Sequence, residues 1–326
     1  MPRLIDAGSG DAIDVATLIE LLDQATIDAR DEDAFAALGS LLARLGRNRD
    51  FLGDLAIDTL KQRRTADANG SAAYGAQAIL LAPPNGNYVL RANCWPARDD
   101  AIVRASGTAP FFYDMPHDHN FPFLTYGYLG PGYWSDYYEY DGAAVLGVPG
   151  EHAGLRFVER ARLEPDRLML YRARRDVHVQ LPPDSFSVSL NILGYDAAQP
   201  WAEQFRFDIA KGTIAQGLTT TASEALLTLA AAFGSANGVD LAHEFARRHP
   251  APRMRVTALG AVAATLETAA ERHRWYAAAT HDPDRYVSGH AALLCQRIEA
   301  TKARATSSET EVSRGLDAME DATLRI

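Results

Sequence analysis

Apolar positions recur at helical spacing from 11 to 62, alternate with polar ones in short runs from about 74 to 209, and return to helical spacing after about 221. In "DAIDVATLIELLDQA" the residues Ile13, Leu18, Leu21 and Leu22 fall near one face of a helix. "DEDAFAALGSLLARLG" repeats the pattern, with Asp31, Glu32 and Asp33 at its positive end and Gly46 as the expected C-cap. The middle region reads as strands: "NYVLRANCW", "PFFYDMPHDH", "FLTYGYLG", "YWSDYYEYD", "RLMLYRARRDVHVQL" and "SFSVSLNILGYD", separated by turns such as "PPNGN", "GPG" and "YDG". A first strand, "YGAQAILLA", begins at 74. Many short strands at close spacing predict an antiparallel sandwich or barrel.

The last helical stretch carries an echo at an offset of 31, with Pro252 answering Pro283 and Val256 answering Val287. That layout fits a HEAT-like pair of helical hairpins and fits ordinary antiparallel helices equally well. The expected organisation is an N-terminal helical segment (1–73), a β domain (74–210), a C-terminal helical region (211–301) and a flexible tail (302–326). The C-terminal helices, apolar in "LLTLAAAF" and "TALGAVAATL", need burial against the β domain or a second copy, as in a homodimer.

Charge and cysteines narrow the function classes. A formal charge of −10 gives no global basic field for nucleic acid. Cys94 and Cys295 are too few for a disulfide framework, so a reducing cytoplasm is the expected compartment. No apolar segment follows a basic start, and no run approaches 18 apolar residues, so neither a secretory signal nor a membrane span is expected.

The chemistry gathers on histidines. Side chains alternate along a strand, so His117 and His119 project from one face and can reach one metal. The bland reading is a surface or hydrogen-bonded pair. A third histidine, His178, lies in "YRARRDVHVQL"; if that strand is regular, Arg172, Arg174, Asp176 and Gln180 share its face. His152, His243, His249, His273, His281 and His290 fall in turns and helices, where caps and surface contacts account for them.

Here the chain resembles the cupin family over roughly 74–209. Its "HDH" at 117–119 matches the HxH of the first cupin motif, and "GYLGPG" matches the following glycine turn. "EPDRLMLYRARRDVH" matches the second motif, with Asp166 opening the turn and His178 as ligand. The resemblance implies a double-stranded β-helix (jelly-roll) barrel holding one mononuclear metal. Two departures stand out: Phe123 or Leu124 occupies the usual glutamate position, and "RAR" replaces the second motif's PxG. Three histidines without the glutamate resemble the non-haem iron cupins that activate oxygen, with Glu139 as a candidate fourth ligand.

The metal expected on that basis is iron(II), with zinc, manganese or nickel as alternatives. A 2-oxoglutarate cosubstrate is disfavoured, because His119 stands where an HxD pattern needs aspartate. Three neutral ligands leave a dication, which favours an anionic substrate bound beside dioxygen. Arg172, Arg174 and Arg91 are candidate carboxylate clamps, or partners of Asp114, Asp136 or Asp176. Tyr126, Tyr128 and Gln180 are candidate substrate contacts. Ser189 and Asn191, polar positions alternating with Val188 and Leu190, are candidates for supporting the ligands or for a solvated face. No separate catalytic residue is expected, since the chemistry is metal-centred. The expected activity is oxidation of a small polar or amino-acid-like substrate, free or within a peptide. The alternatives are a non-oxidative isomerase or lyase, and a binding or scaffold protein that uses its C-terminal helices.

Overall fold

The computed structural model describes residues 2–65, 77–233 and 236–323, and side chains throughout these except at 62–65 and 305–323. The strand start expected at 74 and the boundary at 73/74 lie outside the described residues. The chain divides into two compact units, Met1–Val145 with Gly150–Thr219, and Leu146–Pro149 with Thr220–Ile326.

The first unit runs β1 (Arg3–Ile5), α1 (Val15–Gln24), α2 (Glu32–Ala37), α3 (Gly39–Arg47), α4 (Phe51–Thr65), β2 (Ala78–Leu80), β3 (Tyr88–Trp95), α5 (Ala101–Ser106), β4 (Phe123–Leu129) and β5 (Tyr133–Glu139). It continues through β6 (Arg156–Leu163), β7 (Leu168–Tyr171), β8 (Asp176–Gln180), β9 (Ser187–Gly194), β10 (Phe205–Asp208) and β11 (Thr213–Gly217). Six strands form one antiparallel sheet in the order β1-β7-β4-β9-β3-β2. β6-β5-β8 form a second layer, and β10-β11 join its β8 edge through His117, which bridges both His178 and Arg206.

Strand alternation sorts the core into two layers. Leu90, Leu124, Tyr126, Leu168, Leu170, Leu190 and Ile192 turn outward and pack under Leu18, Leu22, Phe35, Leu42 and Leu45 of the N-terminal helices. Trp95, Phe123, Tyr133, Tyr137, Leu163, Met169, Tyr171 and Leu193 turn inward and fill the space between the sheets. Each fully buried large apolar side chain contributes about 1.5–3 kcal/mol relative to exposure. The result is a two-layer sandwich: among the described residues the sheets do not pair edge to edge, and the expected barrel does not close.

Three local readings change. The helix expected over "DEDAFAALGSLLARLG" breaks at Leu38 into α2 and α3. Gly46 lies inside α3 rather than at its C-cap, which is Asn48; a Cβ at Gly46 would lie 2.0 Å from Tyr126 Cε1, so the glycine serves close helix–sheet packing. The strand expected over "PFFYDMPHDH" is a 3₁₀ turn followed by left-handed Phe112 and Asp114, touching the sheets only by isolated bridges.

The second unit comprises α6 (Ala222–Ala232), α7 (Ala236–Arg248), α8 (Pro252–Thr265), α9 (Ala269–Ala279) and α10 (Arg285–Thr323). Capping boxes start α6 (Thr221, Glu224) and α9 (Thr268, Glu271). Its core gathers Leu227, Ala242, Ala246, Met254, Ala258, Leu259, Val262 and Val287, and a buried Arg253–Glu224 pair at 3.0 Å ties α8 to α6. Pro252 opens α8 and Pro283 lies two residues before α10, so the two halves of the sequence echo mark two helix starts. The backbone of 302–323, expected as a loose tail, continues α10; it holds no proline to break the helix, and alanine is its commonest residue. No helix among the described residues is long and apolar enough to cross a membrane.

Candidate metal centre

The segment Pro116–Asp118 is wedged between β8 and β10. His117 N donates to His178 O at 3.1 Å, and His178 N returns a bond to His117 O at 3.0 Å. On the other side Asp118 N donates to Phe205 O, and Phe207 N to Pro116 O. These bonds hold one histidine opposite another. The carbonyl of His119 accepts from Arg174 N at 2.8 Å, which fixes the third.

The side chains converge. His178 Nε2 lies 3.1 Å from His117 Nε2 and 3.2 Å from His119 Nε2, and among the described residues no aspartate, glutamate or cysteine joins the cluster. His117 Nδ1 is 2.8 Å from Met115 O. A carbonyl can only accept, so the proton sits on Nδ1 and Nε2 presents its lone pair inward. Imidazole–metal bonds of about 2.0–2.1 Å at roughly 90–110° separate donor nitrogens by about 2.8–3.4 Å, which both distances from His178 satisfy, and all three ligand atoms lie within 4.8 Å of one another. Nδ1 of His119 and of His178 has no hydrogen-bond partner among the described residues to set its tautomer, but a divalent cation would draw all three Nε2 lone pairs inward at once, so these residues fit a mononuclear metal.

Burial lowers the basicity of all three rings. It holds His117 down at about 4, against the carbonyl bond to Met115 that favours its charged form. His119 and His178 lie well below the ordinary imidazole value, chiefly through burial and then through their neighbouring rings. The imidazoles are therefore neutral and ready to ligate at pH 7. In metal-free protein the folded state binds fewer protons than the unfolded chain between about 4 and 6.5. Stability is then full above 6.5 and falls as pH drops, with His117 alone worth about 3 kcal/mol by pH 4. Urea melts of the chelator-treated Asp118→Asn protein, which lacks the buried carboxyl that gains stability over the same range, check this between pH 7 and pH 4, and a flat profile would contradict it.

The histidines head a cavity of about 190 Å³. Its walls come from inward positions of β3 and β9, with Arg91 opposite Asn191 and Asn93 opposite Ser189, and from Gln180 of β8 and Tyr133 of β5. Phe121, Phe123, Phe112 and Trp95 supply the apolar part. Trp95 Nε1 donates to Ser189 Oγ at 3.0 Å, and Asn191 Nδ2 reaches Ser189 at 3.4 Å, so the serine and asparagine expected from alternation lie inside the sandwich.

Other expected site residues lie elsewhere. The run 168–180 is not one strand: a turn after Tyr171, with Arg174 in the left-handed region at φ 53°, resets the alternation before β8. Arg172 consequently pairs with Asp176 (2.6 Å) and Glu139 (2.9 Å) and lines a different pocket. Arg174 donates through Nη2 to Gly142 O and lies beside Glu139 and Arg156. Glu139 is held by Arg172 and Arg156 and does not join the histidine cluster. Tyr126 and Tyr128 sit on the helix-facing side of β4, their hydroxyls bonded to Asp166 and to the carbonyls of Asn48 and Arg49.

Asn93, Trp95 and Tyr133 were legible from the spacing that brought Arg91 in, as alternate positions of "RANCW" and the first inward residue of β5. Gln77 and Gln204 line the cavity from outside regular strands, and nothing in the sequence marks them.

No family model and no curated protein matches the chain. Among solved structures it is similar to a cupin protein from Bacteroides fragilis, at 11% identity and a TM-score of 0.22, over 41% of this chain and 89% of that one. It is also similar to the DMSP lyase DddQ from Ruegeria pomeroyi, at 12% identity and a TM-score of 0.22, over 60% and 78%. A chain from the DMSP lyases RdDddP and RnDddQII gives 12% identity and a TM-score of 0.25, over 63% and 84%. Likeness at this level says nothing about what the site does.

Proposed function

We propose that the chain is a cupin-type metalloenzyme in which His117, His119 and His178 hold iron(II), and which uses dioxygen to oxidise a small polar anion. The observation that carries this reading is the convergence of three neutral Nε2 donors at the head of a buried cavity. Iron(II), when bound, supplies a redox-active Lewis acid with positions open beyond the three ligands. Among the described residues no carboxylate joins the three histidines as a ligand, which favours an anionic partner.

The protein side of the lining offers little for elimination or isomerisation. Those reactions need a base to abstract a proton. Among the described lining residues there is no Asp, Glu, Lys or Cys, and burial pushes the Tyr133 phenol far above its ordinary value. Its hydroxyl can donate a hydrogen bond. Phe121 and Phe123, the latter stacked on Tyr171 at 4.3 Å, exclude water from one side. Gln180, Asn93 and Asn191 orient the substrate on the other.

The test loads the protein anaerobically with iron(II), adds nitric oxide as a spectroscopic probe and titrates small carboxylates. A carboxylate-dependent change in the iron–nitrosyl spectrum is expected. Protein that purifies with tightly held zinc and turns over without oxygen would replace this reading by the lyase or isomerase one.

A further inference from the structure

Beside the charged Arg91, the cavity wall carries a pattern of carboxamides that the metal does not use. Asn93, Asn191 and Gln180 are only 6%, 2% and 3% exposed, and all three line the cavity. Asn93 Oδ1 is fully buried with no hydrogen-bond partner among the described residues, and Asn191 Nδ2 makes only 3.4 Å contacts to Ser189. A buried acceptor left without a donor is costly, and native folds keep one where a ligand or ordered water completes it.

Carboxamides discriminate by what they can pair with. Each offers donors and an acceptor without charge, so a wall of them matches a group that also donates and accepts while neutral. It does not match an ammonium: no aspartate or glutamate lines the cavity among the described residues, and a dication at the histidines would repel one. The size is also restrictive. About 190 Å³ equals roughly six waters at about 30 Å³ each, which suits a ligand of some eight to ten heavy atoms.

We infer that the substrate is a small carboxylate bearing a neutral amide, of the N-acyl amino acid type, and not a free amino acid. The inference rests on the metal-dependent reading above. Its carboxylate turns to the metal side, and its amide N–H and C=O pair with Asn93, Asn191 and Gln180.

Calorimetry on zinc(II)-loaded and metal-free protein, with N-acetylglycine and glycine as probes at pH 7, tests this. The indole N–H resonance of Trp95, which adjoins Ser189, gives a local readout. N-acetylglycine should bind at least about tenfold more tightly than glycine and shift that resonance, the gap expected for one buried hydrogen-bonded group matched or left unpaired. Asn93→Asp should narrow or invert the ratio by supplying a carboxylate for the ammonium. Gln180→Glu makes the same test if the first variant does not fold. Glycine binding as tightly as N-acetylglycine, or a ratio unmoved by either variant, overturns the inference. If zinc(II) does not bind but the metal-free protein still prefers N-acetylglycine, the amide-reading wall stands and the metal reading fails. If zinc(II) binds and glycine is preferred, the reverse holds.

Discussion

His178→Ala should strip the protein of its metal while leaving the sandwich folded. His178 Nε2 is the member within 3.2 Å of both other donors, so its removal leaves two ligands instead of three. Replacing groups that merely support a ligand already costs about 10–100-fold in metal affinity, so deleting the ligand itself should cost more than about a hundredfold. The fold should hold, because Tyr171 loses one ring contact with His178 at 5.0 Å while the rest of the inter-sheet core, Tyr137, Leu163 and Met169 among it, keeps its packing. Metal at a hundred times its dissociation constant should stabilise wild type by about 2.7 kcal/mol and the variant by almost nothing. Elemental analysis and thermal melts with and without added iron(II) or zinc(II) read both effects. Glu139→Gln is the control: it loosens the pairs with Arg172 and Arg156 but should leave metal content unchanged. A His178→Ala protein that keeps stoichiometric metal would end the three-histidine assignment.

The sequence disclosed those three histidines because strand alternation and motif order are local properties. His117 and His119 share a face two residues apart, and His178 lies in a run that is mostly strand. Alternation equally put Ser189 and Asn191 on one face of β9 without saying whether that face met the ligands or solvent; the structure turns it inward, beside Arg91 of β3. It failed wherever parity was carried across a break. The turn at 172–175 undid the placement of Arg172 and Arg174, and a single φ of 53° at Arg174 is not visible in "RARRD". Tyr126 and Tyr128 failed for a related reason: Phe123 and Leu124 are both apolar, so the pattern does not say which face of β4 meets the cavity. The helices on the large sheet settle it, and Gly46, whose missing Cβ admits Tyr126, marks the contact. Barrel closure was beyond reach because it depends on which strand edges meet. Hydrophobic patterns specify faces, not edges.

Asp118→Ala should destabilise the metal-free protein by about 2–6 kcal/mol. Asp118 sits between the two histidines of the "HDH" run with its carboxylate turned to the opposite side and 0% exposed. There it accepts Phe205 N at 2.6 Å and the Tyr140 hydroxyl at 2.5 Å, tying the wedge to β10 and to the end of β5. Alanine leaves both buried donors unpaired, at about 1–3 kcal/mol each. Burial raises this carboxyl to about 6 even though the two donors and the nearby Arg174 charge favour its ionised form. The folded value lies above the unfolded 3.8, so the folded state holds the extra proton between about 4 and 6. Its contribution is therefore present below 3.8 and lost as pH rises through 6, by about 3 kcal/mol. Asp118→Asn keeps the shape and one acceptor but cannot ionise. Wild type should thus lose stability relative to Asp118→Asn between pH 4 and pH 7, while the histidine contributions, common to both proteins, cancel. Paired urea melts across that window measure the difference directly. A gap that stays flat, or runs the other way, would mean that Asp118 is ionised throughout and that its two donors outweigh its burial. In that case the wedge holding His117 and His119 is anchored by a full negative charge, and the metal site inherits part of its field.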